Sequence, residues 1–502
     1  MKKVNRLTKK LHAPNWLLLL LAIVFILRIP SFFEPYSYGD EMIYLILGNA
    51  IRMGIPLYSG IHDNKPPLLY IMAAIAGNLF WFKAILTFWL IITIYIFSRL
   101  IKILFPKGKI SHIIGVSLFA LLVTIPLLEG NIINAELFMI GPTILAFFIL
   151  LKRNPKPKTL LFSGFLFSLS TLFKIPAIFD IPAIIFLWIA TKPDKKGEFK
   201  TVVKNTFLLF IGFILPILAS ILWFYTRGSL KEYITAAFLQ NIGYLSSWRP
   251  GDVKDPFFIK NLPLIIRGLI VFLGLAILYL KRKFLSKNFI LATSWLFLSL
   301  FAATLSERPY PHYLIQSVAP LSILFTILFS QKSIEQVLTI IPLTIFTIVP
   351  FYYHFWYYKT IPYYEKFIKF SKGELSKEEY FLTFGEDVLR NYKISEFIVS
   401  STRESEKIFV WGSNNSTIYA LSKRLPPGKY FADYHIKDFS NDSETTQTLQ
   451  KDLPSFIVIL PNAPEISGLQ NLLLLNYGLV EEIDKAKIWK LLSPKIRSLI
   501  SF

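Results

Sequence analysis

The stretch GDEMIYLILGNAIRMG (residues 39–54), followed by SGIHDNKPPLLYIM (residues 59–72), determines how the rest of this chain is interpreted. It follows the first apolar segment and carries five ionisable side chains: Asp40, Glu41, His62, Asp63 and Lys65. Ionisable residues within apolar membrane segments are rare and usually functional. The meaning of these five residues therefore depends on the class of protein and on the side of a membrane that they face.

The composition is typical of a polytopic membrane protein. Hydrophobic residues make up 54% of the 502 residues, and charged residues only 17%. The first apolar block follows basic residues, as in a signal peptide, but it lacks a small-residue cleavage site and is interpreted as a retained span. The chain has no cysteine, which excludes disulfides and thiolate metal sites. Apolar blocks of about 16–23 residues, long enough to cross a bilayer, occur near residues 14–30, 67–82, 83–105, 112–128, 134–151, 159–174, 175–191, 205–226, 263–280, 288–305, 313–330 and 334–353.

The positive charge is concentrated in the membrane half of the chain. The net charge is +22, yet residues 371–502 carry 16 Lys and Arg against 17 Asp and Glu. Such an excess in short loops is typical of cytoplasmic segments and not of a groove that follows nucleic-acid phosphates, so nucleic acid is excluded as a partner. The basic segments are the N-terminus and residues 99–109, 152–158, 192–204 and 281–287.

All five basic segments fall on the cytoplasmic side only if one apolar block does not cross the membrane. Residues 67–82 suit that role because this block is short and begins at a pair of prolines. The sequence therefore predicts an α-helical polytopic protein of the plasma (inner) membrane, with about 11 spans plus one re-entrant or interfacial helix. We expect residues 1–358 to form this domain, with a cytoplasmic N-terminus and a long outer loop at residues 31–66.

Residues 359–502 have a different pattern, which predicts a small extracytoplasmic α/β domain. KIFVWG (407–412) and SFIVIL (455–460) read as short buried strands bounded by turn residues. Helical segments are expected near residues 385–400, 443–452 and 466–476. No internal repeat is apparent in the chain.

On this topology many polar side chains share the outer surface. Each has a simpler explanation when it is taken alone: Asp40 can cap an interfacial helix, and a basic residue can be an interfacial anchor. Asp180 lies inside an apolar block. It is interpreted either as a helix–helix polar contact or as a helix-end partner of Lys174, and no functional role is assigned to it. The outer set comprises Asp40, Glu41, His62, Lys65, Glu129, Glu136, Lys174, Arg308 and His312.

Taken together, these groups indicate one kind of chemistry. Lys65, Lys174 and Arg308 suit a phosphate, apolar walls suit a lipid tail, and a nearby carboxylate suits deprotonation of an incoming hydroxyl. Glu136 begins an apolar block, where a carboxylate is more often functional than not. The combination predicts transfer from a lipid phosphate to an acceptor outside the cytoplasm.

The outer loop resembles that of the GT-C glycosyltransferases. The similarity rests on an acidic pair, a Tyr, a Gly, a Leu-Tyr, then Lys-Pro-Pro and a Tyr, within residues 39–70. It extends loosely through NAELF, STLFKIP and YPHYLIQSVAP, over residues 15–355. The nearest branch is that of the bacterial protein-mannosyltransferase-like and aminoarabinose-transferase-like enzymes (glycosyltransferase family 39/83-like).

The resemblance implies a role for each matching residue. Asp40 would be the catalytic base, Glu136 and Glu41 further acidic residues, and Lys65 the ligand of the donor phosphate. The donor would be a polyprenyl-phosphate sugar, and the acceptor a protein, lipid or glycan. No cofactor is required by this chemistry, no metal ligand is assigned, and a divalent metal is not excluded. Asn64 stands where some relatives have a Glu before Lys-Pro-Pro, so metal or lipid A details of that branch are not carried over to this chain. Lys174 and Arg308 would be further ligands of the donor phosphate. The other site candidates are His62, Asp63, Tyr44, Tyr58, Glu129 and His312.

Two other functions fit parts of the pattern. A transporter or lipid flippase would usually show repeats and polar residues at mid-membrane, whereas here they crowd one face. A non-catalytic cell-envelope scaffold would leave the acidic residues and the Lys-Pro-Pro segment without a use. Neither the sugar nor the acceptor is determined by the sequence.

Overall fold

A computed structural model of the protein describes residues 13–152, 155–191, 196–243, 245–246, 256–330 and 333–500. The basic N-terminal residues 1–12, and parts of the basic loops at 152–158 and 192–204, lie outside the described residues.

The first two thirds of the described chain are helical. Sixteen α-helices lie in this part of the described chain, where long apolar runs satisfy their backbone hydrogen bonds internally as helices. They are α1 (Asn15–Arg28), α2 (Gly39–Arg52), α3 (Leu68–Ala76), α4 (Leu79–Leu104), α5 (Lys109–Leu122), α6 (Ala135–Lys152), α7 (Pro157–Phe173), α8 (Ile181–Thr191), α9 (Lys196–Thr226), α10 (Leu230–Ile234), α11 (Gln240–Gly243), α12 (Phe257–Lys260), α13 (Leu262–Leu280), α14 (Lys287–Ala303), α15 (Ile315–Leu328) and α16 (Ile334–Tyr352).

Within the described residues, seven helices are long and apolar enough to cross a membrane, so the protein is a multi-pass membrane protein. They are Asn15–Phe33, Leu79–Leu104, Ala135–Lys152, Gly197–Thr226, Leu262–Leu280, Pro311–Leu328 and Ile334–Tyr352. Four shorter apolar helices accompany them: Lys109–Leu122, Pro157–Phe173, Ile175–Thr191 and Lys287–Ala303. The predicted total of 11 spans requires all four to cross as well, and that total stays a prediction, as does the orientation of the termini.

The block predicted as a re-entrant helix at residues 67–82 is divided into two elements. Helix α3 has only nine residues, about 14 Å of rise against a hydrocarbon core of about 30 Å. It ends at Gly77, which adopts φ +71°, and a side chain there would collide with the guanidinium of Arg52. The Asn78 side chain then accepts from Trp81 N and begins α4. Residues 79–82 therefore belong to a long helix and not to the short one.

The remaining elements follow residue 359. Helices α17 to α24 are Thr360–Ser371, Lys377–Leu382, Asp387–Ser401, Ser416–Ser422, Asp433–Phe439, Asp442–Lys451, Leu469–Asn476 and Pro494–Ile500. The strands β1 (Ile408–Trp411), β2 (Phe456–Ile459), β3 (Tyr477–Ile483) and β4 (Ala486–Leu491) form one sheet of order β1-β2-β4-β3.

The sheet is mixed. Strands β1 and β2 are parallel and lie within the two predicted segments, whereas β4 pairs antiparallel with both β2 and β3. The β3–β4 hairpin is absent from the sequence prediction because β3 is mostly exposed and its apolar and polar residues alternate weakly. The domain boundary at residue 359 stays a prediction.

The C-terminal part packs directly on the loop at residues 31–66. Helix α20 lies against α2, where the Asn49 amide donates to the Lys423 carbonyl at 3.2 Å. The His62 backbone N–H donates to the Lys429 carbonyl at 3.0 Å. These contacts bring α21, between the strands in sequence, over residues 62–65 of the loop.

Candidate active site

Asp40 lies in the first turn of α2. The helix begins at Gly39 with Tyr38 as its N-cap, and no side chain makes a capping hydrogen bond there. The explanation of Asp40 as a simple helix cap is therefore wrong. The Tyr44 hydroxyl, one turn later, donates to Asp40 Oδ2 at 2.9 Å, and about a third of the Asp40 side chain stays exposed.

Lys65 lies between two carboxylates. Its Nζ is 3.7 Å from Asp40 Oδ2 and 3.6 Å from Asp63 Oδ2, and it faces the Tyr44 ring at 5.1 Å. The Tyr58 hydroxyl donates to the Lys65 carbonyl at 2.8 Å and fixes the backbone before the two prolines. Only 19% of the Lys65 side chain is exposed, so its ammonium is directed by these partners.

A second group of charges comes from α6 and the turns near it. Glu136, in the first turn of α6, pairs with Lys174, and the His312 ring contacts both Glu129 and Glu136. The Lys174 ammonium also lies over the Tyr313 ring, 3.9 Å from its centroid. Glu129 sits at φ +58° in the turn before α6. The predicted residues Glu129, Glu136, Lys174 and His312 are therefore brought into mutual contact.

The two groups act on each other electrostatically. Burial opposes ionisation of Asp40, but the charges of Lys65 and His312 outweigh it and hold the pKa of this carboxyl below its ordinary value. Burial likewise opposes ionisation of Asp63, and Lys65 and His435 lower its pKa strongly. Both carboxyls are ionised at neutral pH and retain Lys65 as a shared counter-ion.

Glu41 belongs to a different network beneath this cluster. Its carboxylate contacts Lys83 Nζ at 2.5 Å and accepts from the Ile133 backbone at 2.6 Å. Lys83, which is fully buried, also pairs with Glu34 at 2.8 Å. We infer that Glu41 supports the fold of the loop and does not touch substrate.

Replacing Lys83 with Met is expected to destabilise the protein by about 3–5 kcal/mol, because two buried carboxylates lose their common cation. Unfolding in detergent, followed by loss of helical circular dichroism, measures the change. Lys102 lies on the same helix and is exposed, so Lys102→Met is the matched control. Wild-type stability in the Lys83→Met variant would contradict the inferred network.

Two predicted site residues, and Asp180, to which no role was assigned, lie differently from the rest. His62 is packed among Tyr430, His435 and Phe439, and burial with the charge of His435 lowers its pKa to about 3. Arg308 is placed by its backbone, which donates to Ser306 Oγ at 3.4 Å. The Asp180 carboxylate accepts from Trp295 and Gln316, which makes it a helix–helix polar contact.

Several residues near the site were missed by the sequence reasoning. The Tyr70 hydroxyl donates to Asp63 Oδ2 at 2.7 Å, and the Tyr38 hydroxyl donates to Glu129 Oε1 at 2.9 Å. Tyr434 and His435 of α21 reach Asp63 from the C-terminal part. Tyr70 follows Lys-Pro-Pro and belongs to the sequence motif described above, whereas no motif in the sequence includes Tyr434 or His435.

The fold of the chain is similar to that of two solved structures of one membrane protein. The crystal structure of ArnT from Cupriavidus metallidurans bound to undecaprenyl phosphate matches with a TM-score of 0.58, 12% identity, and coverage of 95% of this chain and 98% of that one. The apo state of the same protein matches with a TM-score of 0.55, 11% identity, and coverage of 94% and 97%. This likeness shows that the chain shares the fold of that protein over nearly its whole length.

A third solved structure matches less well, and the sequence comparisons found no match. The archaeal oligosaccharyltransferase AglB from Archaeoglobus fulgidus matches with a TM-score of 0.44 and 13% identity, over 90% of this chain and 70% of that one. No protein-family model and no curated protein sequence matches the chain. Among the described residues, no three His, Asp or Glu side chains are grouped as a metal site would require.

Proposed function

We propose that this protein is an integral-membrane glycosyltransferase, which moves a sugar from a polyprenyl-phosphate donor to an extracytoplasmic acceptor. The observation that carries the proposal is the partly exposed Asp40 carboxylate, 3.7 Å from the ammonium of Lys65, which the Asp63 carboxylate also holds. A base and a phosphate ligand side by side are what this transfer needs. The likeness to ArnT, whose crystal structure contains undecaprenyl phosphate, supports the class of donor.

The mechanism is a single inverting displacement. Asp40 accepts the proton of the acceptor hydroxyl as its oxygen forms a bond to the anomeric carbon. The bond from that carbon to the phosphate oxygen breaks, and the electron pair leaves with the polyprenyl phosphate. Lys65 stabilises the negative charge that develops there, with Lys174 and Arg308 as supporting cations. No step requires a nucleotide.

The proposed site of the polyprenyl tail is an apolar groove. It has a volume of about 710 Å³ and lies between α13, α14 and α16, with Gly274, Phe297 and Ile345 among its lining residues. At one end Arg267 donates to Glu307 at 2.7 Å, and Glu307 precedes the segment that carries Arg308 and His312. A lipid tail in this groove would leave its phosphate near the charged cluster.

Filling the groove is expected to discriminate donors by chain length. Ile345→Trp should raise KM about tenfold for a long polyprenyl donor, since two displaced methylenes cost about 1.6 kcal/mol, and leave KM for a two-isoprene donor unchanged. Ile340 is on the same helix and outside the groove, so Ile340→Trp is the control. Equal effects on both donors would exclude this groove as the tail site.

The function itself is tested with the purified full chain in nanodiscs. Radiolabelled polyprenyl-phosphate hexoses and pentoses are supplied with an extract of cell-surface acceptors. Label should move to an acceptor, and the product linkage should have the opposite anomeric configuration to the donor. If the protein consumes none of the donors and instead moves lipid between the leaflets of a vesicle, the proposal is overturned in favour of a flippase.

A further inference from the structure

The carboxylate of Asp63 is the most constrained group near the site. It has no solvent exposure. The Tyr70 hydroxyl donates to Asp63 Oδ2 at 2.7 Å, and the Asn64 backbone N–H donates to Asp63 Oδ1 at 2.8 Å. Lys65 lies 3.6 Å from its second oxygen. An ionised carboxylate buried in this way must be held by hydrogen bonds and opposite charge.

Part of this restraint comes from the C-terminal part of the chain. His435 Nε2 lies 3.4 Å from Asp63 Oδ1, and the Tyr434 hydroxyl is 3.5 Å from the same oxygen. His435 is fully buried, and Phe431 and Phe439 pack on its ring. The loop is also held close to α21, because the His62 N–H donates to the carbonyl of Lys429, a few residues before that helix.

The position of Asp63 controls how much of Lys65 is available to a ligand. Lys65 is shared between Asp40 and Asp63 at 3.7 and 3.6 Å, longer than a direct charge-assisted hydrogen bond of about 2.7–2.9 Å. Asn64 N and Tyr434 also contact Oδ1. If Asp63 lost its contact with His435, the carboxylate would be restrained less on that side and could turn towards the ammonium, which would close that gap. A phosphate would then compete with a tighter internal ion pair.

We propose that His435 is a positioning residue for Lys65: by holding Asp63 Oδ1, it keeps Asp63 from pairing tightly with Lys65 and leaves the ammonium directed at the donor phosphate. This inference rests on the proposed function for the identity of that phosphate. It makes the C-terminal part a component of the phosphate site, contributed from 372 residues further along the chain.

The experiment measures binding of undecaprenyl phosphate, without a sugar, to the full-length protein in nanodiscs. His435→Phe keeps the ring among its aromatic neighbours and removes the polar atom, so binding should weaken on the order of tenfold. His435→Gln restores a donor and should recover most of the affinity. Lys437→Gln, on the same helix with an exposed side chain, should bind as wild type does.

Coupling to Asp63 separates positioning from general stability. In an Asp63→Asn background the further change His435→Phe should alter binding by less than twofold, because its target is already gone. In transfer assays His435→Phe should raise KM for the donor more than it lowers kcat. His435→Asn, whose amide is too short to reach Asp63, gives the same test if the Phe variant does not fold.

The outcomes distinguish the positioning role of His435 from the proposed glycosyltransferase function. Additive effects of His435→Phe and Asp63→Asn, or a Gln variant no better than Phe, would overturn the positioning role. A wild type that transfers sugar while His435→Phe binds undecaprenyl phosphate normally would overturn this inference alone. A wild type that neither binds undecaprenyl phosphate nor transfers sugar would overturn the proposed function.

Discussion

Replacing Asp40 with Asn is expected to lower kcat by about 10²–10⁴, the usual contribution of a general base, while the donor still binds. Asn keeps the size of the side chain and can still accept from Tyr44, whose hydroxyl lies 2.9 Å from the carboxylate. It cannot accept the acceptor's proton. Single-turnover transfer in nanodiscs and binding of undecaprenyl phosphate, measured side by side, separate the two steps.

The matched control is Asp438→Asn, since Asp438 is exposed on α21 and lies outside the cluster. It should transfer sugar as wild type does. Robust transfer by Asp40→Asn would instead remove Asp40 from the mechanism and make Glu136, which pairs with Lys174, the candidate base.

The pH profile gives an independent check on Asp40. A base acts only when it is deprotonated, and Lys65 and His312 hold the pKa of Asp40 below its ordinary value against the effect of burial. The acidic limb of kcat/KM should therefore lie below about pH 4, the ordinary range of an Asp. Titration of Asp40 should cause no change in kcat/KM between about pH 4 and neutrality.

Much of the site could be predicted because its signals are local. Asp40, Tyr44, Tyr58 and Lys65 lie within about thirty residues of one another. Helix α2, its end near Gly54 and the short helix after the prolines follow from turn and apolar patterns. The positive-inside pattern indicated that distant charged loops share one end of the bundle. The contacts among Glu129, Glu136, Lys174 and His312 agree with that arrangement.

The remaining features depend on tertiary contacts that leave no local pattern. Glu41 adjoins Asp40 in sequence, yet its direction is set by Lys83, a basic residue inside an apolar run that the sequence reasoning passed over. His435 is an isolated histidine in a short helix, and only the packing of α20 on α2 brings α21 to Asp63. At 12% identity the known structures show the fold and not these pairs.

Replacing Lys65 with Gln is expected to lower kcat/KM by about 10²–10³, the usual loss when one charge-stabilising donor is removed. The ammonium is the cation next to Asp40, and a neutral amide cannot neutralise a leaving phosphate. Lys65→Arg keeps the charge and should lose less than Lys65→Gln. Lys372 is mostly exposed, so Lys372→Gln is the control and should retain full transfer.

The same substitution should move the pH profile, which a loss of binding alone would not do. Without Lys65, burial and the charge of Asp63 raise the pKa of Asp40, because the main group that lowers it is gone. The acidic limb of the residual transfer should therefore shift to higher pH in Lys65→Gln and stay in place in Lys65→Arg. A limb that is identical in Lys65→Gln and wild type would mean that Asp40 and Lys65 do not share one site, and the displacement mechanism would then fail.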